Sequence, residues 1–222
     1  MQATVIEALS RVVYFSAFDE PRRAQLAERM IRQHYLPGET LFLEGDPTLG
    51  MWIIEHGRIK IFKLNPNGEE HVLRLLGDGD TFNEIGALDG GANPANAGAL
   101  SETTMWVLPS AVLQNLIATD GAFALKVVQV LSGKVRGLVN QIENLTLYSV
   151  MTRLARFLLQ QAADPSLSGP GVTRATIAAH LATTPQTVST TLRDLEAAGA
   201  IRFDRHMIVI TDERILRSIA ML

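Results

Sequence analysis

Thr173-Arg-Ala-Thr-Ile-Ala-Ala-His-Leu-Ala-Thr-Thr-Pro-Gln-Thr-Val-Ser-Thr-Thr-Leu-Arg-Asp-Leu-Glu-Ala-Ala-Gly199 is the stretch whose reading decides the fold. Thr173 is placed to cap a short helix with Ile177, Ala178 and Leu181 inward, and Thr184 to cap a second helix with Pro185 in its first turn, where a missing N–H costs nothing. Val188 and Leu192 supply the buried side of that second helix, and Gly199 ends it. Ala178 is small where two helices would cross closely. This spacing predicts a helix-turn-helix whose outward face carries Gln186, Thr187, Ser189, Thr190 and Arg193, with Arg174 and Thr184 at the helix starts. Such side chains donate to and accept from base edges and phosphates. The turn position that is often glycine is Ala182 here. A plain helical hairpin is the competing reading.

The residues downstream favour the first reading. Ala200-Ile-Arg-Phe-Asp-Arg-His-Met-Ile-Val-Ile-Thr211 is two short apolar strands around a polar turn. That pattern predicts a hairpin wing with Arg205 and His206 at its tip, completing a winged helix that binds DNA.

Upstream lie a loop, Asp164-Pro-Ser-Leu-Ser-Gly-Pro-Gly171, and a helix predicted from about Tyr148 to Ala163. Before that helix comes another, beginning near Ser110, restarting after Asp120-Gly121 and running to about Leu145. Val128, Val135 and Ile142 fall seven apart, as do Leu131, Leu138 and Leu145 three residues later. β-Branched residues at every a position and leucine at every d position favour two parallel strands of a coiled coil. The prediction is a homodimer through these six residues, against the alternative of a helix packed on its own β-domain.

From Tyr35 to Leu108 the texture is different. Thr40-Leu-Phe-Leu, Met51-Trp-Ile-Ile, Ile59-Lys-Ile-Phe, His71-Val-Leu-Arg-Leu-Leu and Thr104-Met-Trp-Val-Leu are separated by glycine-rich turns, which predicts a compact all-β barrel or sandwich. The first 35 residues read as helical. The expected architecture is therefore α+β: an N-terminal β-domain over 1–119, a dimerisation helix over 120–146 and a winged helix-turn-helix over 147–222.

Composition narrows the function classes. No apolar run approaches the length of a membrane span, and Met1-Gln-Ala-Thr-Val-Ile-Glu is not a secretory signal, so a cytoplasmic protein without a membrane role is expected. With no cysteine, disulfides, thiolate metal sites and cysteine nucleophiles are excluded. Residues 1–146 hold 12 Lys/Arg against 17 Asp/Glu, whereas residues 147–222 hold 8 against 6. Only the C-terminal part has the sign that phosphates favour.

Pro37-Gly-Glu-Thr-Leu-Phe-Leu-Glu-Gly-Asp46 and Trp52-Ile-Ile-Glu-His-Gly-Arg-Ile-Lys60 resemble the β-roll signatures of the family of the cyclic-AMP receptor protein and the fumarate–nitrate respiration regulator (CRP/FNR). Gly79-Asp-Thr-Phe-Asn-Glu-Ile85 is similar to its phosphate-cassette segment. The resemblance is collinear through β-roll, dimer helix and winged helix. It implies a cyclic-nucleotide-binding-like β-roll (a double-stranded β-helix) and a dimeric, sequence-specific regulator of transcription on palindromic double-stranded DNA, with RNA polymerase as a further candidate partner.

Departures from the family limit what carries over. Nucleotide-binding members place a Gly-Glu pair and an Arg-Ser or Arg-Thr pair around the cyclic phosphate and ribose; here those positions are Asn83-Glu84, followed by Ile85, and Asn93-Pro94. Leu138 and Val139 stand where polar residues of relatives meet the base. Cyclic AMP is therefore disfavoured as effector, because a desolvated phosphate needs a cation or aimed donors. No cofactor is required; haem stays open, although none of His34, His56 and His71 belongs to a ligand-spaced pair. Gln186 and Thr190 replace the Glu and Arg common in relatives, so the target sequence does not carry over. Two other functions compete: a sensor acting through protein partners with the winged helix as a docking module, and an enzyme, for which no nucleophile–base set, metal motif or phosphate loop is found.

Overall fold

The computed structural model describes residues 2–164, 167–169, 171–204 and 207–222. Contacts divide the chain into two compact units, residues 1–63 with 74–137 and residues 64–73 with 138–222. The division falls inside the long helix, between Gly137 and Leu138.

The N-terminal segment is helical only as far as Ala27. Helices α1 (Gln2–Arg11) and α2 (Glu20–Ala27) are joined through a 3-10 turn at Val13–Phe15. Strand β1 (Ile31–Tyr35) then begins, which corrects the expectation of helix through residue 35. The backbone of Ile31–Tyr35 pairs antiparallel with β8 (Thr103–Pro109), from Ile31 opposite Val107 to Tyr35 opposite Thr103. These cross-strand partners replace the helical ones.

The other strands are β2 (Thr40–Phe42), β3 (Gly50–His56), β4 (Ile59–Leu64), β5 (Glu70–Leu76), β6 (Thr81–Phe82) and β7 (Asn96–Ala99). They form two four-stranded sheets, ordered β1-β8-β3-β6 and β2-β7-β4-β5. The unbroken apolar run of β3 follows from burial on both faces. Met51 and Ile53 join Trp106 and Leu108 of β8 against Leu9, Phe15, Phe123 and Val127. Trp52 and Ile54 point the other way, with Met105 and Val107, into the roll interior beside Ile59, Leu76, Phe82 and Ala97. There Trp52 stacks on Phe82 at 5.7 Å and lies 5.7 Å from Phe42, contacts worth about 0.5–1.5 kcal/mol each beyond their area. Gly50 is obligatory, since a Cβ there would meet the Leu108 carbonyl oxygen at 2.0 Å.

Three further helices complete the first unit's course: α3 (Glu84–Asp89), α4 (Ser110–Thr119) and the start of α5 (Gly121–Leu147). At 27 residues α5 is about 40 Å long. Its Phe123 and Val127 are buried in the first unit's core. No single helix among the described residues is long and apolar enough to cross a membrane.

The second unit contains α6 (Val150–Ala163), α7 (Arg174–His180), α8 (Pro185–Ala197), the hairpin β9 (Ile201–Phe203) and β10 (Ile208–Ile210), and α9 (Glu213–Ala220). Leu154, Phe157, Ile177, Ala178, Val188, Leu192, Leu195, Ile201 and Leu216 form its buried interior. Each helix starts on a side-chain cap: Ser149 accepts from the Thr152 N–H, Thr173 from Thr176, Thr184 from Thr187 and Asp212 from Arg214 and Ile215.

Candidate nucleic-acid interface and effector region

Helix α8 is set by its cap and its buried side. Thr184 Oγ1 accepts from the Thr187 N–H at 3.1 Å, Pro185 occupies the first turn, and Val188, Leu192 and Leu195 are fully buried. The turn before it places Ala182 at φ +50°, the left-handed region where glycine is usual. On the opposite side Gln186, Thr190 and Arg193 are exposed along one stripe at i, i+4 and i+7. The side chains of Gln186 and Arg193 have no hydrogen-bond or ion-pair partner among the described residues. Ser189 and Thr190 donate to the carbonyls of Pro185 and Gln186 at 2.9 and 3.2 Å, leaving acceptor lone pairs outward. Thr187, by contrast, is half-buried, its hydroxyl 2.9 Å from that of Thr184.

Arg174 is engaged with the wing. It donates to the Asp204 carbonyl at 2.8 Å and lies 5.4 Å from the Phe203 ring centroid. Arg205 and His206 lie outside the described residues. Arg202, which sequence reading passed over, stands exposed on β9; its place in the wing was the available signal.

The predicted dimer seam lies on α5. Val128, Val135, Leu138 and Ile142 are 54–61% exposed, an unusual amount of apolar surface for one helix face. Leu131 packs partly on the first unit's core and Leu145 is half-buried. Val139, beside the seam, is equally exposed.

The phosphate-cassette positions are built from β6 and α3. Asn83 precedes α3 at φ +62°, which explains why a glycine suits this position and why asparagine is tolerated. Its amide donates to Asn93 Oδ1 at 2.8 Å, and Thr48 Oγ1 donates to the same oxygen at 2.9 Å. Asn93 is buried whereas Pro94 and Ile85 are exposed. A Cβ on Gly86 would come within 2.2 Å of Thr48 Oγ1, so the loop and helix are in close contact.

Glu84 is buried, and its Oε1 accepts from Thr81 Oγ1 at 2.5 Å and from the Lys134 ammonium on α5. Burial pushes this carboxyl up, but the charge and hydrogen bonds of Lys134 and the Thr81 hydroxyl outweigh it and hold Glu84 below the usual carboxylate range. Burial also lowers Lys134, outweighing the charge and hydrogen bond of Glu84, and the nearby Arg74 charge adds to the lowering. Beneath the pair lies Tyr14, whose phenol is raised by burial and by the charge of Glu84, yet whose hydroxyl makes no hydrogen bond of good geometry. Lys134 is the member of this cluster that sequence reading missed. Nothing in the local pattern ties it to a carboxylate 50 residues away.

The histidines are dispersed. His34 meets Glu102 at 3.0 Å and His56 meets Asp78 at 3.2 Å. Within the second unit His71 Nδ1 lies 2.9 Å from the Ala179 carbonyl oxygen and His180 Nδ1 3.2 Å from that of Val72. Burial favours the neutral form of His180.

Sequence comparison agrees with this division of labour. Residues 32–120 match the cyclic nucleotide-binding domain, and residues 152–219 the Crp-like helix-turn-helix domain. The chain is 28% identical over 219 residues to a CRP-like cAMP-activated global transcriptional regulator of Mycobacterium tuberculosis, covering 95% of this chain and 98% of the relative. It is 26% identical over 192 residues to the cyclic AMP receptor protein of Thermus thermophilus, covering 85% and 88%. Among solved structures, a CooA variant from Carboxydothermus hydrogenoformans superposes with TM-score 0.71 at 26% identity over 87% of this chain and 88% of that one. FixK2 of Bradyrhizobium japonicum shares the fold, with TM-score 0.76 at 23% identity over 86% and 96%. With a cyclic-nucleotide-binding-type β-roll, a long helix and a Crp-like helix-turn-helix in this order, the chain belongs to the CRP/FNR family of transcription regulators.

Proposed function

We propose that this regulator works in the cytoplasm as a homodimer, joined along Val128, Leu131, Val135, Leu138, Ile142 and Leu145, and presents two α8 helices to successive major grooves of a palindromic site. The observation that carries the reading is the Gln186–Thr190–Arg193 stripe on a capped helix, two of whose side chains have no partner among the described residues. In this reading Gln186 selects adenine through its N6 and N7 edge, Arg193 holds phosphate, Ser189 and Thr190 supply acceptors, and Thr187 with Thr184 shapes the helix start. Arg174 steadies the wing that carries Arg205 and His206. The apolar seam supports the dimer, because a pair of such helices buries the exposed valines and leucines against each other.

Cyclic AMP is not the effector in this proposal. Asn93, where relatives carry arginine, is bonded to Asn83 and Thr48; Pro94 has neither hydroxyl nor N–H; and Lys134 is neutralised by Glu84. A cyclic phosphate would lose its hydration there with Lys134 already paired and no arginine or hydroxyl at positions 93 and 94 to offset the cost. The base positions are the apolar Leu138 and Val139.

Binding of the full chain to a palindromic duplex recovered from genomic footprints, titrated against salt, tests the reading. Arg193→Ala is expected to weaken every duplex and lower the salt slope by about one unit, whereas Gln186→Ala relaxes preference at one base step. Equal binding of both variants and the wild type to all duplexes refutes the α8 assignment and favours a docking role for the winged helix.

A further inference from the structure

We propose that Lys134 is a built-in substitute for an effector: its ammonium, seated on Glu84, fixes the rotation of α5 on the β-roll and makes DNA binding independent of a small ligand. The proposal rests on the DNA-binding reading above and concerns its regulation.

Three observations converge on it. First, the two side chains at the cassette's ligand positions are already engaged by the protein: Glu84 Oε1 takes Thr81 and Lys134, and Asn93 Oδ1 takes Asn83 and Thr48. A ligand entering here would have to break protein–protein bonds to make its own. Second, the roll interior behind them is packed with rings, Phe42, Trp52 and Phe82 lying 5.7–6.1 Å apart. Third, Lys134 immediately precedes the seam residue Val135, about 100° around the helix from it. Tethering Lys134 to the roll therefore sets which face of this part of α5 presents Val128 and Val135. A ligand-controlled protein would leave this rotation to the ligand. Here it is held by an ion pair whose side chains are only 28% and 7% exposed and so are little screened by salt.

Lys134 is thus a positioning residue, acting on DNA through α5. The test is DNA binding by the full-length wild type, purified through denaturation and refolding to strip small molecules, beside Lys134→Met, Lys134→Arg and Glu84→Gln. Melting and sedimentation are measured on each. The stripped wild type is expected to bind its duplex fully. Lys134→Met and Glu84→Gln are expected to bind about tenfold more weakly while still folded and dimeric, because the binding-competent rotation falls to roughly a tenth of the population. Lys134→Arg, which keeps the cation, should restore most of the affinity, an outcome that simple filling of space does not predict. If Lys134→Met does not fold, Glu84→Gln and the arginine variant carry the test. Undiminished binding by Lys134→Met, or Lys134→Arg as weak as Lys134→Met, overturns the proposal. So does a stripped wild type that binds only after a small-molecule filtrate of cells is returned, an outcome that leaves the DNA-binding reading intact. A wild type that binds no duplex with or without the filtrate defeats both.

Discussion

The cassette region around residues 79–96 and the helix-turn-helix at 173–199 are built alike, each a short loop that leads into a helix through a left-handed residue, Asn83 in one and Ala182 in the other. They differ in where their hydrogen-bonding capacity points. In the cassette Asn83, Glu84 and Asn93 turn inward and bond to Thr48, Thr81, Lys134 and each other. In the helix-turn-helix the apolar side is buried and Gln186 and Arg193 face solvent. Both regions carry sequence patterns associated with binding, but only in the second are the long polar side chains of the motif, Gln186 and Arg193, left turned to solvent. Family membership alone assigns a ligand to both; the bond inventory distinguishes them.

The sharpest way to break this contrast is Glu84→Ala, which leaves the Lys134 ammonium half-enclosed without its counter-ion. A loss of about 3 kcal/mol in urea unfolding is expected, since removing one partner of a buried pair strands the other. Adding Lys134→Met to it should recover much of that loss. A Glu84→Ala protein as stable as the wild type would mean that the cassette is not internally satisfied.

On the other side of the comparison, Thr184→Ala removes the cap that aims α8. A loss of about 1 kcal/mol is expected in the same measurement. It should be accompanied by weaker DNA binding, because Gln186 lies in the turn that frays. Full affinity after loss of the cap would show that α8 does not depend on it for orientation.

The smallest effect is expected at the left-handed residue. Ala182→Gly removes a Cβ from a conformation that disfavours it, against the extra freedom glycine gains in the unfolded chain, and should raise stability by about 0.5–1 kcal/mol. Gly86→Ala in the cassette should act in the opposite sense, as its Cβ meets Thr48 Oγ1. If both glycine changes proved neutral, the two loops would be softer than their geometry indicates.

What the sequence by itself determined is local. The caps Thr173 and Thr184, Pro185, the inward Ile177, Val188 and Leu192, and the wing strands are specified by residues within a few positions of one another, and the structure places each as periodicity and capping require. The heptad of α5 was legible for the same reason, although whether a second copy covers it depends on association rather than on the helix. Tertiary structure decided the rest. Asn96-Ala-Gly-Ala99 has no strand signature, yet becomes fully buried β7 because β2 and β4 supply ladders on both sides. Ile31–Tyr35 left the helical segment because β8 offered its edge. The pairing of Lys134 with Glu84 joins residues 50 apart, and neither residue's neighbours encode it. Periodicity and caps are short-range and survive in a linear reading, whereas an ion pair or a strand partner is chosen by what the folded chain brings within a few ångströms.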